Sequence, residues 1–154
     1  MAVDLDLRRA TPADRDALAA LQSAAYAPLK ARLGLTLQPV DADFAVVIRT
    51  MEVWLAGSPE ALDAALILDP KLDHLVIWSI AVAPRLKGQG IGGRLLDFAE
   101  ERAGALGFGT VRLYTNARFT ENIAWYGRRG YAIERSEVRP DRTVVHFVRK
   151  LDGR

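Results

Sequence analysis

The stretch His74-Leu-Val-Ile-Trp-Ser-Ile-Ala-Val82 is apolar at even and odd positions alike. A strand with one wet face alternates apolar and polar residues, so this one calls for cover on both faces, as in the middle of a sheet flanked by helices. After five intervening residues comes Gly88-Gln-Gly-Ile-Gly-Gly93, and then a run whose Leu95, Ala99, Ala103 and Leu106 recur at helical spacing. Arg94, Asp97, Glu101 and Arg102 fall on the other side of that helix, and Gly107 suits its C-terminal end. A buried strand that turns through glycines into an amphipathic helix restricts the chain to a mixed α/β architecture.

The remaining elements follow from local signals. Leu5 to Arg8 is a short strand candidate, and Thr11-Pro12-Ala13-Asp14 reads as a helix start, with Thr11 able to cap and Pro12 suited to the first turn. Leu18, Leu21 and Ala25 give that helix a buried face, Pro28 is expected to end it, and Gly34 to Pro39 reads as a loop. Asp41 is the expected cap of a second helix carrying Phe44, Val47, Ile48 and Met51 inward, the alternative being an early turn to strand at the β-favouring Val46-Val47-Ile48. Strands are expected at Glu52 to Ala56 and Ala64 to Leu68, separated by Gly57-Ser58-Pro59 and followed by a hairpin-like connection over Asp69 to Asp73. Beyond the central helix, Val111 to Thr115 reads as a strand and Asn122 to Arg128 as a short helix. Tyr131 to Val138 and Thr143 to Val148 form a closing hairpin around Pro140-Asp141.

A chain of 154 residues without repeats or linkers suits one domain, residues 1–154. Its 50% hydrophobic and 26% charged content is ordinary for a soluble protein, and no apolar run reaches the ~18 residues of a membrane span. The acidic opening Met1-Ala-Val-Asp-Leu-Asp6 is unlike a signal peptide, so a cytoplasmic location is expected. No cysteine is present, which excludes disulfides, thiolate metal sites and a cysteine nucleophile, and two separated histidines give no ligand cluster; no metal is expected. The pI of about 9.1 accompanies a net charge of only +2 and scattered basic residues, so a nucleic-acid partner is not expected. A few positioned cations fit a small anionic ligand better. A homodimer is compatible with the composition.

The glycine segment carries the chemistry. Glycines at 88, 90, 92 and 93 let backbone approach a ligand, and the first amides of the following helix point outward with the helix dipole behind them. Lys87, with Arg85 nearby, adds positive charge, so phosphate oxygens are the expected guests. Gly88, Gly90 and Gly93 satisfy the dinucleotide spacing G-x-G-x-x-G. Against that reading, Ala83 to Lys87 intervene between strand and glycines, and the next strand ends without a ribose-binding acid. A P-loop is excluded because no Gly-Lys-Ser or Gly-Lys-Thr occurs.

Val82-x-Pro84 followed by Lys87-Gly-Gln-Gly-Ile-Gly92 resembles the acetyl-CoA pyrophosphate loop of the GNAT superfamily of N-acetyltransferases. That loop reads Gln or Arg, two residues, Gly, one residue, then Gly or Ala; Lys87, Gly90 and Gly92 occupy its positions, lysine being a departure that keeps the cation. Downstream, Asn122-Ile-Ala-Trp-Tyr126-Gly-Arg-Arg-Gly130-Tyr131 is similar to the family segment Ala-Ile-x-x-Tyr-x-x-x-Gly-Phe, with Asn122 and Tyr131 as departures. The order of elements agrees from about residue 64 onward. The resemblance implies a mostly antiparallel central sheet of six to seven strands, helices on both faces, and central strands that splay apart.

It also implies acetyl-CoA as cosubstrate. Pantetheine would pair with backbone around Ile80, Ala81 and Val82, and the pyrophosphate would rest on Lys87, Gly88, Gln89, Gly90, Ile91, Gly92 and Gly93. A neutral amine, from a small molecule or a peptide, would attack the thioester while a backbone amide near Ile80 or Val82 steadies the oxygen. By residue type alone Tyr126 reads as a core tyrosine on a short amphipathic helix; by the resemblance it lies where the family places the acid that protonates the leaving sulfur. Asn122 could bond pantetheine or cap its helix. Candidates for the base are His74, Glu52 and Asp73, and His146 is a candidate for lining the acceptor site. That site would be built from Tyr26 to Leu37, Met51 to Trp54 and Arg135 to Arg142. The alternative reading is an acyl-CoA-binding sensor with the same fold and no turnover.

Overall fold

The computed structural model describes residues 5–33 and 38–151. Seven strands follow the order β1-β2-β3-β4-β5-β7-β6: β1 (Arg8–Arg9), β2 (Glu52–Ser58), β3 (Ala61–Pro70), β4 (Leu75–Val82), β5 (Thr110–Asn116), β6 (Ala132–Arg139) and β7 (Arg142–Lys150). β1–β2, β2–β3, β5–β7 and β6–β7 pair antiparallel, and β4–β5 pairs in parallel. The parallel ladder is short, running from Leu75↔Val111 to Ile77↔Leu113 in strands of 8 and 7 residues. The helices are α1 (Arg15–Leu33), α2 (Gln38–Asp41), α3 (Phe44–Thr50), α4 (Ile91–Ala105) and α5 (Thr120–Arg128). The mixed α/β class with a mostly antiparallel sheet is therefore as expected.

By its contacts the chain divides into two compact units, Met1–Asp69 with Trp78–Ala99, and Pro70–Ile77 with Glu100–Arg154. The first holds a core built from Leu18 and Leu21 of α1, Phe44 and Val47 of α3, Val53 and Leu55 of β2, and Ala81 and Ala83 around the end of β4. Burying a side chain of this size contributes about 1.5–3 kcal/mol. Where α1 begins, Asp14 closes a 3-10 turn (Pro12–Asp14) by accepting the amide of Thr11 at 2.8 Å and both guanidinium arms of Arg8 at 2.9 Å each. In the second unit Phe147, Val111 and Leu113 are buried, and Tyr131 donates to Glu100 Oε2 at 2.9 Å. Arg149 reaches the same carboxylate at 3.3 Å and the Arg129 carbonyl at 2.7 Å, which holds the C-terminal end of α5.

Four expectations need correction. Helix α1 does not stop at Pro28 but runs on to Leu33, because an internal proline removes one N–H bond without forbidding the turns after it. The cap of the Phe44 helix is Asp43, whose side chain accepts from the Ala45 amide at 3.0 Å; Asp41 ends α2 and accepts from Lys30 instead. The strand buried on both parities is β3, where Ala64 to Leu68 are all sealed, whereas β4 is buried on both parities only at Leu75–Ile77. From Trp78 on, β4 alternates, with Ser79 and Ala81 buried and Ile80 and Val82 half-exposed. The expected loop at 34–37 lies outside the described residues, and Gln38 and Pro39 belong to α2.

Candidate active site

In the first unit, β4 ends at Val82 and the chain makes a 3-10 turn, Pro84–Leu86, before the glycines. Two bonds close that turn, Leu86 N–H to Ala83 O at 2.9 Å and Lys87 N–H to Pro84 O at 3.2 Å. Ala83 is anchored in turn by its N–H to Asp63 O at 2.9 Å, while the Asp63 carboxylate holds the guanidinium of Arg85. Arg85 is thus committed to β3, and the expectation that it faces phosphate gains nothing. Lys87 is exposed, and with its amide used in the turn it offers only its ammonium to a ligand.

Gly88 and Gly90 take φ of +84° and +78°, the left-handed region where a side chain is strained. A Cβ at either would meet nothing within 4 Å, so backbone conformation, not crowding, demands glycine there. The open space is what a ligand lying on the backbone needs. Gly92 and Gly93 sit in the first turn of α4 without positive φ. The first intrahelical bond joins Arg94 N–H to Gly90 O at 3.3 Å, so the amides of Ile91 and Gly92 precede the ladder. Fifteen residues of helix stand behind them, enough for the full end charge of the dipole. Ile80, Ala81, Val82 and Lys87 to Gly93 therefore share one unit and one continuous strand–turn–helix.

Asn122 and Tyr126 belong to the second unit, on α5. Asn122 is the third residue of the helix, so it is not the cap; Phe119 holds the capping position, and the preceding turn is closed by Asn116 Oδ1 accepting from the Arg118 amide at 2.9 Å. The Tyr126 ring is half-buried against Trp125, Phe147 and Tyr131, with centroids 5.0, 5.6 and 6.0 Å away. Its backbone carbonyl accepts from the Tyr131 amide at 3.0 Å. Burial and the Glu100 carboxylate push the Tyr131 phenol well above the ordinary tyrosine range, so Tyr131 is a fixed donor and not a titrating one.

A cleft of ≈ 550 Å³ in the second unit gathers several residues that the sequence had singled out separately. It is lined among others by His74, Arg112, Tyr114, Glu134, Arg135 and His146. His74 Nδ1 lies 2.6 Å from Asp73, and the histidine holds that carboxyl below the usual carboxylate range. His146 Nε2 lies 3.0 Å from Glu137, which Arg139 first and His146 second pull down to about 2. The His146 ring also tilts over Tyr114 at 5.7 Å. Arg112 binds Glu134 through two nitrogens at 3.1 Å each. In the first unit the third base candidate, Glu52, accepts from Trp54 Nε1 at 3.1 Å. Of the expected acceptor segment Tyr26 to Leu37, residues 34–37 lie outside the described residues.

A buried chain missed by the sequence reading joins Gln22 and Tyr26 of α1 to Ser79 of β4. The signal was available: Leu18, Gln22 and Tyr26 stand four residues apart, which puts polar groups on the helix face that carries the core. Among the described residues no group of three or more His, Asp or Glu could hold a metal ion, and no helix is long and apolar enough to cross a membrane.

With this geometry in view, residues 53–131 match the family model described as Acetyltransferase (GNAT) family. Solved structures share the fold at low identity. The PaiA N-acetyltransferase from Thermoplasma acidophilum in complex with coenzyme A superposes with a TM-score of 0.75 at 14% identity, covering 94% of this chain and 98% of that one. The ribosomal-protein-S18-alanine N-acetyltransferase from Escherichia coli gives 0.76 at 18%, covering 96% and 94%. A GNAT family acetyltransferase from Elizabethkingia anophelis with acetyl-CoA bound gives 0.66 at 18%, covering 96% and 98%.

Proposed function

Because this chain belongs to the GNAT acetyltransferase family, we propose that it is a cytoplasmic N-acetyltransferase, residues 1–154 acting as one domain, that moves an acetyl group from acetyl-CoA to an amine. The observation that carries the reading is the strand–turn–helix of residues 80–93, with Gly88 and Gly90 in left-handed conformation, open on the ligand side and backed by α4. Acetyl-CoA supplies an activated thioester. The backbone of Ile80 and Val82 pairs with its pantetheine in the manner of strand addition, while the Ala81 groups between them turn toward β3. The amides at Gly88 to Gly93 and the Lys87 ammonium hold its pyrophosphate.

An amide near Ile80 or Val82 stabilises negative charge that develops on the thioester oxygen as the amine attacks. Tyr126 donates its proton to the departing sulfur, and Asn122, free of a capping role, bonds pantetheine. His74 of the cleft, oriented by Asp73, is the base candidate with the most suitable partner, and His146 and Arg135 line the acceptor side. The acceptor is a small-molecule or peptide amine; among fold relatives one acts on an alanine of a ribosomal protein.

Thiol release from acetyl-CoA, screened across small amines and N-terminal peptides, tests the proposal. Amine-dependent release supports it. Acetyl-CoA failing to raise the melting temperature at all would sink it. The second reading, a sensor without turnover, draws on Glu52, whose carboxylate already accepts from the Trp54 indole; it predicts stabilisation by acetyl-CoA and no thiol release with any amine.

A further inference from the structure

The hydrogen-bond chain beneath β4 has a direction that can be derived atom by atom. Gln22 and Ser79 are 0% and 4% exposed, so a hydrogen bond left unmade there is costly. The Gln22 side-chain amide donates to Ser79 Oγ at 3.0 Å. Ser79 Oγ also lies 3.1 Å from the Tyr26 hydroxyl, which in turn lies 3.3 Å from the carbonyl oxygen of Ile80. A carbonyl can only accept, so the single phenol proton goes to Ile80. Ser79 must then give its own proton to the Tyr26 oxygen, having already accepted from Gln22. The result is a one-way series, Gln22 to Ser79 to Tyr26 to Ile80. Burial raises the Tyr26 pKa, which keeps that phenol protonated and donating.

The end of this series matters because of how a strand presents its backbone. Ala83 N–H bonds Asp63 on β3, and Ser79, Ala81 and Ala83 are all buried while Ile80 and Val82 are not. The two-residue period turns the backbone groups of Ala81 and Ser79 toward β3 as well, and those of Ile80 toward the other edge. In an extended residue the N–H and C=O share one edge. The carbonyl lies in the peptide after Ile80 and the N–H in the one before, so a donor on the carbonyl holds the N–H through the extended backbone of Ile80 itself.

Resting on the function proposed above, we infer that Gln22, Ser79 and Tyr26 form a positioning relay that holds Ile80 in its extended conformation so that its N–H points at the thioester oxygen of acetyl-CoA. Tyr26 touches no reacting atom in this role; it acts through Ile80. An oxyanion donor is effective only when it is aimed before charge develops, and an unanchored strand residue would have to be reoriented during the reaction. Three side chains joined in series and ending on one carbonyl, two of them sealed from water, are more than packing of α1 on β4 requires.

The test reads the carbonyl directly and needs no acceptor. Infrared difference spectra are taken of acetyl-CoA carrying ¹³C at the thioester carbonyl, bound at saturation to wild type and to Tyr26→Phe, Ser79→Ala and Ser79→Thr. The relay predicts a lowered stretching frequency on wild type, a return toward the free-ligand value on Tyr26→Phe and Ser79→Ala, and retention on Ser79→Thr, which keeps the hydroxyl. The dissociation constant for acetyl-CoA should stay within about threefold, since the remaining cofactor contacts are intact. An identical band in all four proteins overturns the relay while leaving the acetyltransferase reading in place. Absence of acetyl-CoA binding to wild type overturns both. A lowered melting temperature in Tyr26→Phe with an unmoved band counts as packing alone, and also overturns it.

Discussion

Arg8 grips Asp14 through both carboxylate oxygens at 2.9 Å, and the same carboxylate closes the turn that starts α1. Asp14 is 5% exposed in its side chain and Arg8 40%, so solvent weakens the ion pair from one side only. The hydrogen bond from Arg8 comes first among the causes that hold Asp14 down to about 2, below the usual carboxylate range. A depressed carboxylate stabilises the fold above its unfolded pKa and loses that contribution as pH falls through its folded one. Asp14→Asn should therefore cost roughly 1–2 kcal/mol at neutral pH. In urea unfolding, the gap between wild type and variant should close between pH 4 and pH 2. A constant gap over that range would show that charge is not what Asp14 contributes.

Tyr131 and Glu100 behave in the opposite sense. The phenol pKa is raised by burial first and by Glu100 second, so its contribution is complete below the unfolded value near 10 and declines as pH rises beyond it. Tyr131→Phe should lower stability by about 1–2 kcal/mol at pH 7, because it strips a donor from a partly buried carboxylate that Arg149 still reaches. Above about pH 10 wild type should lose that advantage, measured by chemical unfolding at pH 8 and pH 11.

Gly90 tests the loop. Gly90→Ala imposes a side chain on φ of +78° and should cost about 1 kcal/mol, with no internal clash to add to it. Gly90→Glu keeps that backbone strain and adds a negative charge where pyrophosphate is proposed to lie. It should remove the rise in melting temperature caused by acetyl-CoA while the protein stays folded. Normal acetyl-CoA binding by Gly90→Glu would mean that the loop has been assigned wrongly.

For Tyr126 the discriminating variant is phenylalanine. The ring contacts with Trp125, Phe147 and Tyr131 survive the change, so stability should hardly move. If the phenol protonates the leaving sulfur, kcat should fall by about 10²-fold or more with acetyl-CoA affinity unchanged. Equal rates across the pH range would leave Tyr126 as packing.

Much of this was legible in one dimension because the signals are local. A glycine that needs positive φ, a helix that needs an apolar stripe and a strand that needs β-branched residues each mark themselves within a few positions. Residues 80–93 are consecutive, and reading them required no knowledge of any other strand. Helix ends were read less well at Pro28 and Asp41, where propensity is a weak prior and context decided.

By itself, then, the sequence determined the α/β class and the strand–glycine–helix order of residues 80–93, and it carried two linked motifs that resemble one family. Only the tertiary structure decided the partners of the polar residues. It committed Arg85 to Asp63, put His74, Arg135 and His146 into one cleft, and joined Gln22 and Tyr26 to Ser79 across more than fifty residues of chain. The physical reason is that backbone conformation is governed by neighbours in sequence, whereas a buried donor must find its acceptor in space, and folding alone brings the two within 3 Å of each other.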